Sequence, residues 1–207
     1  MYTLYYSPGA CSMAVHIALN ECNQQVTLEK VDLAAGQNRS PEFMKINPRG
    51  QVPVLVDGER VLREGASILI HILDKHQSPL LPREGRERDA ALEWLMFCNA
   101  TLHPAYARVF FLLKNGATQG PLMDMAIASI NKLWREVEER LSQNAWLAGP
   151  QPTIADILLT VIANWSPRMP QPIILEEHTK KLLQKVIARP AYQKALAVEQ
   201  VEYKAAA

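Results

Sequence analysis

The chain contains no apolar run long enough to cross a bilayer, which takes about 20 residues. Its start, "MYTLYYSPG", has neither the basic region nor the apolar core of a secretory signal. The expected location is the cytoplasm, with no membrane partner. The cysteines Cys11, Cys22 and Cys98 are odd in number and none stands in CxxC spacing, so neither a disulfide framework nor a zinc site is indicated. His16, His71, His76 and His178 show no ligand spacing with one another, and no metal is expected. No sign of charge is in excess: 22 basic residues against 21 acidic ones leave a formal net charge of +1. Nucleic acid is therefore not an expected partner. Internal repeats and low-complexity tracts are also missing. What is present is globular, with 48% hydrophobic and 21% charged residues among 207. That length suits one large domain or two small ones.

The first part mixes strand and helix signals. "YTLYY" is rich in aromatic and β-branched residues and stops at Ser7-Pro8-Gly9. "CSMAVHIALNEC" then places Met13, Ile17 and Ala18 at helical spacing. "QVTLEKVDL" reads as a second strand, and "VPVLVDGERVL" as a hairpin turning at Asp57-Gly58. "EGASILIHILDKH" returns to helical spacing, with Ile68, Ile72 and Leu73 on one face. Two strands joined through a helix are expected to be parallel with a right-handed crossover, followed by an antiparallel pair. This predicts an α+β domain, a mixed sheet with packed helices, over residues 1–78. "QSPLLPREG" reads as a linker, assigned to 79–86. From 87 to 207 only helical segments follow, which predicts an all-α bundle.

Several residues invite chemistry. Cys11 stands at the start of a helix, where unpaired N–H groups favour a thiolate. It is either a small buried residue at a strand–helix junction or a nucleophile. Cys22 and Cys98 lie in apolar helical segments and read as core. In "NPRGQVPVL", Pro53 precedes a strand, and a cis Val52–Pro53 bond would turn the Val52 backbone toward an extended peptide-like ligand. An ordinary trans proline is the alternative. In "REGAS", Glu64 lies at a helix N-terminus, and the amides of Gly65 and Ala66 could receive a carboxylate. A plain solvated cap is the alternative. Thr153 and Asp156 form a capping-box pattern with a structural role, worth about 1 kcal/mol or more. His103 precedes Pro104 and shares a helical face with Asn99 and Tyr106 at i,i+4 and i,i+3 spacing. Pro104 is expected to kink that helix or open a carbonyl.

Taken in order, these segments resemble the cytosolic glutathione transferases, and among them the bacterial beta class. "YYSPGACS" resembles that class's opening motif, cysteine included. "INPRGQVPVL" is similar to the family's cis-proline segment, "REGAS" to its Glu-Ser segment with Gly65 in place of serine, and "TIADILL" to its capping motif. "EWLMFCNATLHPAY" resembles the helix that bears a site histidine. The resemblance implies a thioredoxin-like domain followed by an all-helical one, in a homodimer. It implies that Gln51, Val52 and cis Pro53 meet the cysteinyl part of glutathione, and that Glu64 with the amides of Gly65 and Ala66 holds the γ-glutamyl end. Cys11 would face the glutathione sulfur, with Tyr6, Ser12 and His103 nearby and Asn99 contributing to binding. The class often has lysine where Pro104 stands, so no lysine role carries over. "AAGQNRS" lacks lysines for the glycyl carboxylate, which leaves Gln37 or Arg39 as substitutes.

The implied activity is detoxifying: a glutathione thiolate attacks a hydrophobic electrophile that rests against Phe110 and Trp165. Thiol–disulfide exchange through Cys11 is a further implied activity, with no metal needed. Two rivals stay open. One is a non-catalytic interaction protein of the same fold, since fold does not fix function. The other is a dehalogenase or isomerase that uses glutathione as cofactor.

Overall fold

The structure, a computed structural model, describes residues 1–206. It divides into two compact units. The first comprises Met1–Arg83 and Ala188–Glu202; the second runs from Glu84 to Ile187 and resumes at Tyr203.

The first unit is built on four strands, β1 (Tyr2–Tyr6), β2 (Val26–Lys30), β3 (Val54–Asp57) and β4 (Arg60–Arg63), in the order β2-β1-β3-β4. β1 and β2 are parallel, with Leu4 opposite Leu28; β3 runs antiparallel to both β1 and β4. Asp57 pairs with Arg60, so Gly58 and Glu59 form a two-residue loop, and Gly58 takes φ +62° as a tight hairpin requires. Period-two alternation in β1 sends Tyr2, Leu4 and Tyr6 to the buried side. On the opposite face, Tyr5 meets Phe43 of α2 (Pro41–Ile46), edge to face, in a cluster with Val31, Val52 and Val54. The unit's longer helices are α1 (Ser12–Glu21) and α3 (Gly65–Lys75).

α1 was expected to bury one face, yet every residue from Ser12 to Leu19 is buried. The reason lies far along the chain. A C-terminal helix, which the sequence groups with the helical bundle, belongs to this unit and packs against α1. Its Arg189 cap makes a two-pronged pair with Glu21 at 2.7 and 2.8 Å. The segment read as a linker is also anchored, because Leu80 and Leu81 are buried.

The second unit contains α4 (Gly85–Met96), α5 (His103–Lys114), α6 (Pro121–Gln143), α7 (Ile154–Ala163) and α8 (Glu177–Ile187); the C-terminal helix of the first unit is α9 (Pro190–Glu199). α6 buries Met123, Ile127, Ile130, Trp134, Val137 and Leu141, one stripe at helical spacing. α7 is buried throughout and starts at the expected capping box. Asp156 accepts from the N–H groups of Thr153 (2.7 Å) and Leu147 (2.9 Å). Between α4 and α5 the chain widens into one π segment, Phe97–Leu102, directly before Pro104. Proline lacks the N–H that a regular α ladder would use and crowds the carbonyl four residues back. The wider turn relieves that conflict where the sequence predicted a kink.

Candidate active site

The loop between β1 and α1 is closed on itself. Ser12 Oγ accepts from Ser7 N–H and donates to Ser7 C=O, both at 3.2 Å, and Ala10 N–H reaches the same carbonyl at 3.0 Å. Ser12 is fully buried. Its hydroxyl closes the β1–α1 loop beside Cys11. A second tie comes from α9. Glu199 Oε2 accepts from Gly9 N–H at 3.0 Å, and its other oxygen lies 2.9 Å from His16 Nδ1 of α1. Both side chains of that pair are buried. Gly9 has φ +67°, a conformation glycine adopts without strain. His16 was read as having no site role and Glu199 was not singled out. They are 183 residues apart, and no local pattern connects them.

Cys11 is the N-cap of α1, and its thiol lies 3.7 Å from the Val52 carbonyl. Two influences oppose each other at its sulfur. The backbone N–H groups of Cys11 and Ser12 favour the thiolate, as the sequence suggested. Burial disfavours it more strongly and Glu64 adds repulsion, so the thiol is pushed from an ordinary 9.0 up to about 11. At rest the thiol donates weakly to the Val52 carbonyl.

The Val52–Pro53 bond is cis. The Val52 N–H makes no hydrogen bond among the described residues, and its carbonyl holds only the weak thiol donor. One residue thus offers a donor and an exchangeable acceptor, as a sheet edge does for an extended peptide. The preceding loop is held rigidly. Asn47, buried, donates to Gln51 C=O at 2.7 Å and accepts from Arg49 N–H; Asn38 donates to Gly50 C=O at 2.7 Å. Gly50 has φ +63°, and a Cβ there would stand 2.7 Å from the Asn38 carbonyl oxygen. Only glycine fits. Gln51 is exposed, and only its backbone carbonyl is used within the loop.

Glu64 caps α3 with φ +69°, strained for a residue with a side chain. Its exposed carboxylate pairs with Arg49, a residue the sequence reading did not single out. The Gly65 and Ala66 amides open α3 and have no carbonyl partner within the helix. Of the two substitutes considered for a glycyl carboxylate, Gln37 accepts from Asp32 N–H at 2.8 Å, while Arg39 donates to Arg49 C=O at 3.2 Å beside Gly50. Tyr6 is buried at the end of β1, and its hydroxyl makes no hydrogen bond among the described residues. Burial, then Glu199, raises its pKa, so it too is a donor.

In the helical unit His103 meets Trp165 edge to face at 5.2 Å, and Phe110 meets the same indole at 6.0 Å. The His103 imidazole makes no hydrogen bond among the described residues, and burial lowers its pKa, so it is neutral at pH 7. Asn99 is half-buried with an unengaged amide. It lies inside the π segment, where the α spacing that placed it on the His103 face does not hold. Tyr106, the third member of that expected stripe, points into the core. Its hydroxyl lies 2.6 Å from Ser166 Oγ and accepts from Trp134 Nε1 at 2.8 Å.

Family models match both parts of the chain: the glutathione S-transferase N-terminal domain over residues 1–74 and the C-terminal domain over 72–190. Glutathione S-transferase GstA of Escherichia coli is 31% identical over 200 residues, which cover 95% of this chain and 98% of that one. A disulfide-bond oxidoreductase of the same species, YfcG, is 28% identical over 95% of this chain and 94% of its own length. A sphingomonad glutathione S-transferase solved with glutathione superposes with a TM-score of 0.81 at 29% identity, over 97% of this chain and all of that one.

Proposed function

The chain belongs to the glutathione S-transferase family, and from that premise we propose a beta-class-like enzyme that joins the glutathione thiolate to hydrophobic electrophiles. The observation that carries this reading is the pairing of the open Val52 backbone with the Cys11 thiol, 3.7 Å apart. A cysteinyl backbone can use the Val52 N–H and take over its carbonyl, which frees the Cys11 S–H to donate to the incoming sulfur. Because Cys11 is held protonated, it supports a thiolate without competing for the electrophile. The tripeptide's own sulfur is then the nucleophile, and little further acid–base chemistry is needed.

In this reading Glu64 receives the γ-glutamyl ammonium, and the amides of Gly65 and Ala66 receive its carboxylate. Arg39, beside Gly50, is the better placed substitute for holding the glycyl carboxylate. Tyr6 is a donor near the β1 terminus. In the helical unit Phe110 and Trp165 supply the apolar wall for the electrophile, with His103 and Asn99 as its polar members. The protein acts in detoxification as a cytoplasmic homodimer. A reducing compartment suits its three free thiols.

A second activity is favoured by the position of Cys11 and by the name of the YfcG relative. The Cys11 thiolate attacks a glutathione-containing disulfide, forming a Cys11–glutathione bond and expelling the other thiolate, which takes a proton. A second glutathione thiolate attacks that bond and leaves as oxidised glutathione. In sum, one mixed disulfide and one free glutathione become one free thiol and one oxidised glutathione, and Cys11 is regenerated.

Calorimetric titration with glutathione and with S-hexylglutathione tests the primary reading. Saturable binding of both is expected. No binding of either overturns it in favour of a non-catalytic interaction protein.

A further inference from the structure

In the helical unit a cation adjoins the aromatic contacts of Trp165, which is buried, and Phe110. Trp165 is followed by the short turn Ser166–Arg168, which carries the Arg168 guanidinium back over the Phe110 ring, 5.2 Å from its centre. His103, Trp165, Phe110 and Arg168 therefore follow one another by contact, from a neutral imidazole through two rings to a charge. Phe110 is half-buried, so its ring is shared between the core and the surface. Arg168 is exposed, and among the described residues its side chain meets the Phe110 ring and no carboxylate. A guanidinium over an aromatic ring is attracted to its face and keeps its N–H groups for other acceptors. Such a fork suits a carboxylate.

We infer that Arg168 is a specificity-determining residue that selects flat aromatic electrophiles carrying a carboxylate. The inference rests on the acceptor role proposed above for Phe110 and Trp165. The aromatic body lies against the exposed part of Phe110, and the anionic substituent meets the guanidinium. In the reaction, the glutathione sulfur bonds to the halogen-bearing ring carbon. Chloride leaves with the bonding pair, and the thiol proton passes to solvent. The carboxylate changes no bond and serves only as a handle.

The test compares S-benzylglutathione with S-(4-carboxybenzyl)glutathione by calorimetry, in the wild type, Arg168→Gln and Arg168→Lys. Thermal melts check that the variants remain folded. Arg168→Gln should weaken the carboxylated ligand about tenfold and the neutral one no more than about threefold. Arg168→Lys should fall between, since it keeps the charge and loses the fork. The wild-type preference should shrink with added salt, because the site is exposed. Equal weakening of both ligands, or weakening of neither, overturns the inference. So does a wild type that binds only the neutral ligand, and that result leaves the acceptor reading standing. A wild type that binds neither aryl ligand, while still binding glutathione, overturns the acceptor reading and this inference with it.

Discussion

The Cys11 loop and the His103 turn treat their polar groups in opposite ways. In the loop, Ala10 N–H and the Ser12 hydroxyl are bonded internally, and Gly9 N–H donates to a buried carboxylate from α9. On the turn, the His103 imidazole and the Asn99 amide are left without a partner among the described residues, beside rings that offer shape and little else. A site for an invariant ligand benefits from preorganisation, since atoms already fixed lose less entropy on binding. A wall for varied acceptors benefits from apolar area and a few unengaged polar groups. Under the proposed function, tripeptide affinity rests on backbone placement, whereas acceptor choice rests on a few exchangeable side chains.

The sharpest break falls at Cys11. Cys11→Ser should lower thiol–disulfide exchange by at least about a hundredfold, since a hydroxyl does not form the mixed disulfide. Conjugation should fall only a few-fold, because serine keeps a donor at that place. Parallel assays on a glutathione mixed disulfide and an aryl halide decide it, and equal losses would undo the division of roles. In the ligand-free protein, alkylation of Cys11 should rise with pH toward a midpoint near 11, above the ordinary 9.0. A raised folded-state pKa means fewer thiolates at any lower pH, about one in a thousand at pH 8. Mass spectrometry of iodoacetamide-treated protein across that range reads it directly.

Next in size is the clamp from α9. Glu199→Ala removes the buried carboxylate that Gly9 N–H and His16 share, and should cost about 2–4 kcal/mol in urea unfolding. Glutathione affinity should fall with it, even in folded protein. Asp156→Ala in the helical unit should cost a similar amount, because two buried N–H groups lose their acceptor. Its effect on glutathione affinity should be small. If both variants lost affinity alike, the contrast between a built loop and a generic wall would fail.

Gly50→Ala should cost about 1–3 kcal/mol, from positive φ and the contact with Asn38. Thermal melts with and without glutathione should show reduced stabilisation by the ligand as the Val52 backbone shifts. The smallest effect is expected at His103. His103→Asn should change aryl conjugation only a few-fold, and its imidazole should titrate below the ordinary 6.5 in NMR. A normal or raised value would mean that the imidazole has a charged partner, and the wall would no longer count as neutral.

Much of this was legible before any coordinates. The strand at "YTLYY", the hairpin and the helix of α6 each depend on near neighbours, so composition, period and turn chemistry reveal them, although the turn falls at Gly58-Glu59, one residue beyond the expected Asp57-Gly58. The Thr153–Asp156 cap was legible for the same reason, as was the place of Cys11 at a helix start. The π segment before Pro104 was legible only as a conflict, since the sequence says that the α ladder fails there and not how the failure is absorbed.

Period, turn chemistry and caps are short-range, so the sequence by itself determined the order of elements, the mixed sheet and the helical second half. Tertiary structure decided the rest. It assigned α9 to the sheet unit, joined Glu199 to Gly9 and His16, enlisted Ser12 for loop closure and set the direction of the Cys11 pKa. Desolvation and buried pairing depend on what the distant chain brings to an atom, and no local pattern carries that information.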